Sequence, residues 1–133
     1  QDRSSAASDV YKRQSLIKSF LPAMSVGCSV ISFTNQNAVL ALKLSEDINN
    51  SDFPSGSLNI LTGNFENIVE DVGAHVEIRL AAIYSNISND LLETLDVKGS
   101  DSVKRIVNLP SDEGLGSIIP FVETKTVWHP KGQ

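Results

Sequence analysis

Between Val30 and Leu109 the hydrophobic period switches back and forth between two and nearly four. Val30-Ile31-Ser32-Phe33 is a short β-rich run, introduced by Gly27 and closed by the polar turn Thr34-Asn35-Gln36-Asn37, and reads as a buried strand. Leu40, Leu44 and Ile48, with Ala41 beside them, then recur at helical spacing up to Asn49-Asn50, the pattern of one helix face. After the turn Asp52-Phe53-Pro54-Ser55-Gly56 comes a second strand, Leu58-Asn59-Ile60-Leu61, ended by Gly63. Phe65, Ile68, Val69 and Val72 mark a second helix, and Leu80 to Tyr84 a third strand. Leu91, Leu92 and Leu95 mark a third helix ending near Gly99, and Val103 to Leu109 a fourth strand. Strands that alternate with helices predict βαβ units: a parallel sheet with right-handed crossovers and helices on both faces, an α/β, Rossmann-like architecture.

The flanks read differently. Gln1 to Gln14 has almost no apolar periodicity and resembles translated adapter sequence, so it is taken as a disordered, non-native leader outside the fold. From Ser15 onward Leu16, Ile17, Phe20 and Leu21 predict a helix before Pro22. Residues 15–109 form the expected α/β domain. Residues 110–133 are expected to be a loop with a possible added strand alternating around Val122, Thr124, Thr126 and Trp128.

A net charge of -5 lacks the clustered lysine and arginine that phosphate binding needs, so nucleic acid is not an expected partner. No apolar run approaches the roughly 20 residues of a membrane helix, because serines and Gly27 interrupt the early apolar stretch. The mixed-charge start is unlike a secretory signal, so the expected compartment is the cytoplasm.

Chemistry-bearing residues are sparse. Cys28 adjoins a buried strand and lies far in sequence from His75 and His129, which favours an inert thiol over a nucleophile. The two histidines have no neighbouring ligand cluster, so no metal site is expected. Asp47, Glu66, Glu70 and Asp71 are accounted for by solvated helix faces. Gly63 is the one glycine at a strand-to-helix junction, and no GxGxxG occurs. Phe121 and Trp128 fit an interface anchor or a cover for the sheet equally well.

Two segments, Phe20-Leu21-Pro22-Ala23-Met24-Ser25-Val26-Gly27-Cys28-Ser29-Val30-Ile31 and Phe53-Pro54-Ser55-Gly56-Ser57-Leu58-Asn59-Ile60-Leu61-Thr62-Gly63, carry a family signal. In order and spacing they resemble the cofactor-binding half of the aldehyde dehydrogenase superfamily. There a Pro-Ala-x-x-x-Gly strand leads to a Lys-Pro-Ser-Glu turn, a helix and a Pro-x-Gly-x-x-Asn-x-x-x-Gly strand. The likeness spans Ser15 to Leu109 and implies a partial aldehyde dehydrogenase fold.

Transferred position by position, the resemblance places an NAD or NADP site at Phe33, Thr34, Asn35, Gln36, Gly63, Ser85 and Asn86. Each motif departs from the family pattern. Phe33-Thr34-Asn35-Gln36 stands for Lys-Pro-Ser-Glu, Gly63-Asn64-Phe65 for Gly-x-Gly, and Ile83-Tyr84-Ser85-Asn86 for Phe-Thr-Gly-Ser. The general-base glutamate of the family falls where this chain has Asn108-Leu109-Pro110-Ser111, and Cys28 matches a cofactor-strand position rather than the nucleophile. With neither group, no thiohemiacetal forms to deliver hydride, so no catalytic residue is assigned.

Two functional expectations follow from the resemblance. One is a noncatalytic domain that packs against an aldehyde dehydrogenase domain or subunit, with Glu123 to Trp128 adding a strand to a neighbour. The other is the dinucleotide-binding half of a truncated NAD(P)-dependent enzyme oxidising aldehydes to carboxylic acids. A small binding module unrelated to dehydrogenases would require both motif matches to be accidental.

Overall fold

The computed structural model describes residues 2–35, 38–109 and 114–129. Its elements, in chain order, are α1 (Asp2–Ser25), β1 (Val30–Thr34), α2 (Ala38–Asn49), β2 (Leu58–Thr62), α3 (Val69–Ala74), β3 (Leu80–Ile83), α4 (Asn89–Gly99) and β4 (Arg105–Asn108). Single 3-10 turns cover Phe65–Asn67, Ser100–Ser102, Leu115–Ser117 and Ile119–Phe121. The chain is mixed α/β, with small parallel sheets and helices on both sides. The alternation expected from the sequence is therefore present, strand by strand, while the single sheet is not: β1 pairs with β2, and β3 pairs with β4.

In the first βαβ unit the register sets Val30 against Leu58 and Ser32 against Ile60. Because side chains alternate across a strand, these residues share one face, and α1 and α2 cover it. Leu16, Phe20 and Ala41 are buried there, with Met24, Val30, Leu44, Leu58 and Ile60 packed around them. Ser32, buried in this apolar layer, lies 3.4 Å from the Ser19 hydroxyl of α1, which gives its oxygen a polar neighbour. The opposite face, with Ile31 57% and Leu61 47% exposed, is open.

The leader expectation needs correction. Asp2–Ser25 is one helix, so residues 2–14 continue the helix predicted from Ser15. No glycine or proline interrupts residues 2–21, so nothing local breaks the helical backbone. Past Pro22 the helix closes where the Gly27 amide donates to Met24 O (3.0 Å) and the Cys28 amide to Ala23 O (3.1 Å).

The second unit has its own core. Val69, Ile83 and Leu95 are buried together, and Phe65, Val72, Ala81, Leu91, Leu92 and Ile106 pack on them. Ser88 caps α4, its hydroxyl accepting the Leu91 amide at 3.4 Å, with Asp90 in the first turn on the favourable side of the helix dipole. The two helices meet at Gly73, where a Cβ would stand 2.6 Å from the Lys98 Cβ; only glycine allows so close an approach. The neighbouring Lys98–Glu70 ion pair, 3.1 Å, is exposed and adds little.

The added strand expected near the end does not form among the described residues. After the two 3-10 turns, residues 122–129 run without a strand partner. Their alternation half matches a sheet edge, but no edge within the described chain lies against them, and a strand exists only where it is paired.

Candidate functional site

The C-terminal ends of parallel strands are where α/β folds place ligands, and here β1 and β2 end together. Phe33 pairs in register with Leu61 and Thr34 with Thr62, and the Gly63 amide donates to Thr34 O at 3.3 Å. Of the residues expected to line a dinucleotide site, Phe33, Thr34 and Gly63 are thus brought together, with Asn35 exposed in the bend that follows. Gln36 lies outside the described residues. Ser85 and Asn86 are exposed beyond the end of β3, in the other unit, where neither is joined to the first sheet by strand pairing.

Gly63 has φ +151°, a conformation open to glycine and strained for other residues. It carries the chain from β2 into the Phe65–Asn67 turn, which Asn64 caps by accepting the Glu66 amide at 3.2 Å. That turn aims the Phe65 ring back over β1. The rings of Phe33 and Phe65 meet at 5.6 Å between centroids and 54° between planes, within the range of favourable tilted aromatic pairs. Phe33 also lies against the strand end, its Cζ 4.0 Å from where a Gly63 Cβ would sit. Phe65 at the same time packs on the Val69, Ile83 and Leu95 core. The pair therefore joins the two units at the ends of β1 and β2. The sequence marks Phe65 as a helix position and as the last residue of Gly63-Asn64-Phe65, where the resembled family has Gly-x-Gly; no local pattern signals its contact with Phe33.

Tyr84, the residue after β3, has a buried hydroxyl with no hydrogen-bond partner, and burial pushes its phenol above the ordinary tyrosine value. An unpartnered buried hydroxyl is destabilising, so Tyr84→Phe is expected to raise stability by about 1 kcal/mol. In urea titrations the gain should widen as pH rises through the ordinary tyrosine range. The unfolded phenol ionises there first, which lowers the stability of the tyrosine protein alone.

Sequence reasoning also missed Lys104. The side chain is 9% exposed, and its Nζ donates to His75 O at 2.8 Å and to Ile78 O. Val103 causes this: its backbone is left-handed at φ 51°, rare for a β-branched residue, and the turn it makes directs Lys104 inward. The signal available in sequence was only a lysine at the start of an apolar run.

No family model, curated protein or solved structure matches the chain. Its chemistry must be read from its own residues. Among the described residues no group of three histidine, cysteine or acidic side chains is placed to hold a metal ion, and no helix is long and apolar enough to cross a membrane. Cys28 is half-buried, its thiol 3.7 Å from Phe121 O. A cavity of about 290 Å³ lies between the end of α2 and the start of β2, lined by Ile48, Phe53 and Leu58 among others. A second, about 450 Å³, lies on the α3–α4 surface beside Glu70, Glu93 and Lys98. Neither is lined by the residues at the ends of β1 and β2. Trp128, which the sequence allowed as a cover for the sheet, is 89% exposed and covers nothing among the described residues.

Proposed function

We propose that the chain is a noncatalytic, aldehyde-dehydrogenase-like domain: a partial Rossmann-like cofactor half that acts as a scaffold or interaction module. The observation that carries this reading is the Phe33–Phe65 pair standing at the ends of β1 and β2. A dinucleotide site needs close backbone approach and cationic or amide donors there. This chain offers two phenyl rings. The absence of a carboxylate in Asn108-Leu109 and the cofactor-strand position of Cys28 support the same reading.

The partner of such a module is an aldehyde dehydrogenase domain or subunit. The segment from Glu123 to Trp128 is suited to join it, since an extended segment without a strand partner can add to an open sheet edge. Exposed Val127 and Trp128 supply apolar contacts.

Calorimetric titration of NAD and NADP into the chain, with circular dichroism confirming that it is folded, tests the proposal. The expected result is no saturable heat with either. Saturable binding would sink the scaffold reading in favour of the second one, a truncated NAD(P)-dependent aldehyde dehydrogenase that keeps its dinucleotide half. The feature that favours this alternative is Gly63, whose positive φ leaves the end of β2 free of a side chain.

A further inference from the structure

We infer that the N-terminal ends of β3 and β4 form a docking surface for an acidic segment of a partner protein, with Arg79 and Arg105 receiving its carboxylates and Val76 and Val103 its aliphatic groups. This goes beyond the scaffold reading and does not depend on it, since none of the four residues belongs to the dinucleotide positions or to the tail. Backbone contacts hold them in one place. Arg105 stands beside Leu80 in the parallel register, and its amide donates to Arg79 O at 3.0 Å. Val76 sits in the turn before Arg79, closed by the Ile78 amide on His75 O (3.2 Å) and the Glu77 amide on His75 Nδ1 (3.3 Å). The Lys104 ammonium donates to both His75 O and Ile78 O, which fastens that turn to the start of β4.

The side chains on this frame lack partners of their own. Arg79 and Arg105 are exposed, and among the described residues neither forms an ion pair, although Glu77 and Asp101 are near in sequence. Val76 is 71% and Val103 87% exposed. The left-handed backbone of Val103 is a strain that its own side chain does nothing to offset, and strain of this kind persists where it positions other groups. Guanidinium forks take carboxylates through paired hydrogen bonds, and aliphatic groups beside them gain when a bound segment covers them. A phosphate would satisfy the arginines but not the valines. The net charge of -5 repels anions at long range, and a short acidic segment suffers this far less than a polyanion. Both points favour a peptide over a nucleic acid.

The test is a titration of the native chain with the end-blocked peptide Asp-Glu-Leu-Glu-Asp, followed through the backbone amide resonances. Saturable shifts confined to residues 76–79 and 103–105 are expected, with affinity falling as salt is raised. Arg79→Ala and Arg105→Ala should each weaken binding by about ten-fold, the share of one charge-assisted hydrogen bond. Val103→Gly, which suits the left-handed turn and removes the isopropyl group, should keep the fold and weaken binding as well. No saturable shift, shifts elsewhere on the chain, or unchanged affinity in both arginine variants overturns the inference. So does equal binding of the neutral peptide Asn-Gln-Leu-Gln-Asn, or tighter binding of an oligouridylate, which would assign the surface to nucleic acid. The scaffold reading is decided separately, by NAD and NADP.

Discussion

Leu95→Ala is expected to lower the stability of the chain by about 3 kcal/mol, read as a reduced urea midpoint with an unchanged slope. Leu95 is 1% exposed, the most enclosed large side chain among the described residues, and it sits on α4 between Val69 of α3 and Ile83 of β3. Truncation removes the transfer free energy of the lost carbons and leaves a cavity in the second core. Walls formed by a strand and two helices collapse only in part. A loss below about 1 kcal/mol would mean that α4 does not pack as described.

Lys104→Met is the second large effect, a destabilisation of about 2 kcal/mol. Methionine keeps the volume and removes the ammonium. The carbonyl of His75 retains the Ile78 amide at 3.2 Å, but Ile78 O loses the lysine donor that serves it. The loop after α3 is thereby untied from the start of β4. Removing a buried charge gives some of this back, since its desolvation is unfavourable, which keeps the figure below that for Leu95. Burial holds the Lys104 pKa below the ordinary lysine value. Between the two values the unfolded chain binds more protons than the folded one, so this group makes stability rise with pH across that alkaline window. Below the window its desolvation cost is present in full; above it the cost is gone. The difference in unfolding free energy between the native chain and Lys104→Met should therefore grow as pH rises through that window. A pH-independent difference would show that Lys104 does not titrate differently on folding.

Much of the fold was legible because its elements are local. Val30–Thr34, Leu58–Thr62 and Leu80–Ile83 lie where β-rich runs end in turn residues, and α4 lies where Leu91, Leu92 and Leu95 share a face and Ser88 can cap. Pairing between strands is not local, and hydrophobic period says which face of a strand is buried but not which strand lies beside it. Two sheets and one sheet therefore look alike in sequence. On α2 the expected face of Leu40, Leu44 and Ile48 with Ala41 beside them is present: Ala41 is its buried centre, Leu44 packs on the same core, and Leu42, off that face, is 65% exposed. Two helices packing on one small face leave room for a methyl group there. At the candidate site, the meeting of Phe33 with Gly63 followed from parallel pairing of consecutive strands. The ring of Phe65 did not, since it follows the Asn64 cap and packs on a core whose members, Val69, Ile83 and Leu95, extend well downstream in sequence. Lys104 was hidden for a similar reason, because only the left-handed turn at Val103 sends a charged side chain inward.

The separation of the two cores bears on how the chain breathes. Leu16 to Ile60 closes one core and Phe65 to Ile106 the other, each from a continuous stretch of chain. Contacts between near neighbours in sequence form quickly, without the entropic toll of long loop closure. Each unit is then a cooperative block able to open while the other stays shut. Amides of β3 and α4 are therefore expected to exchange with solvent on a clock of their own, and a partner that grips one block would leave the other free to fluctuate.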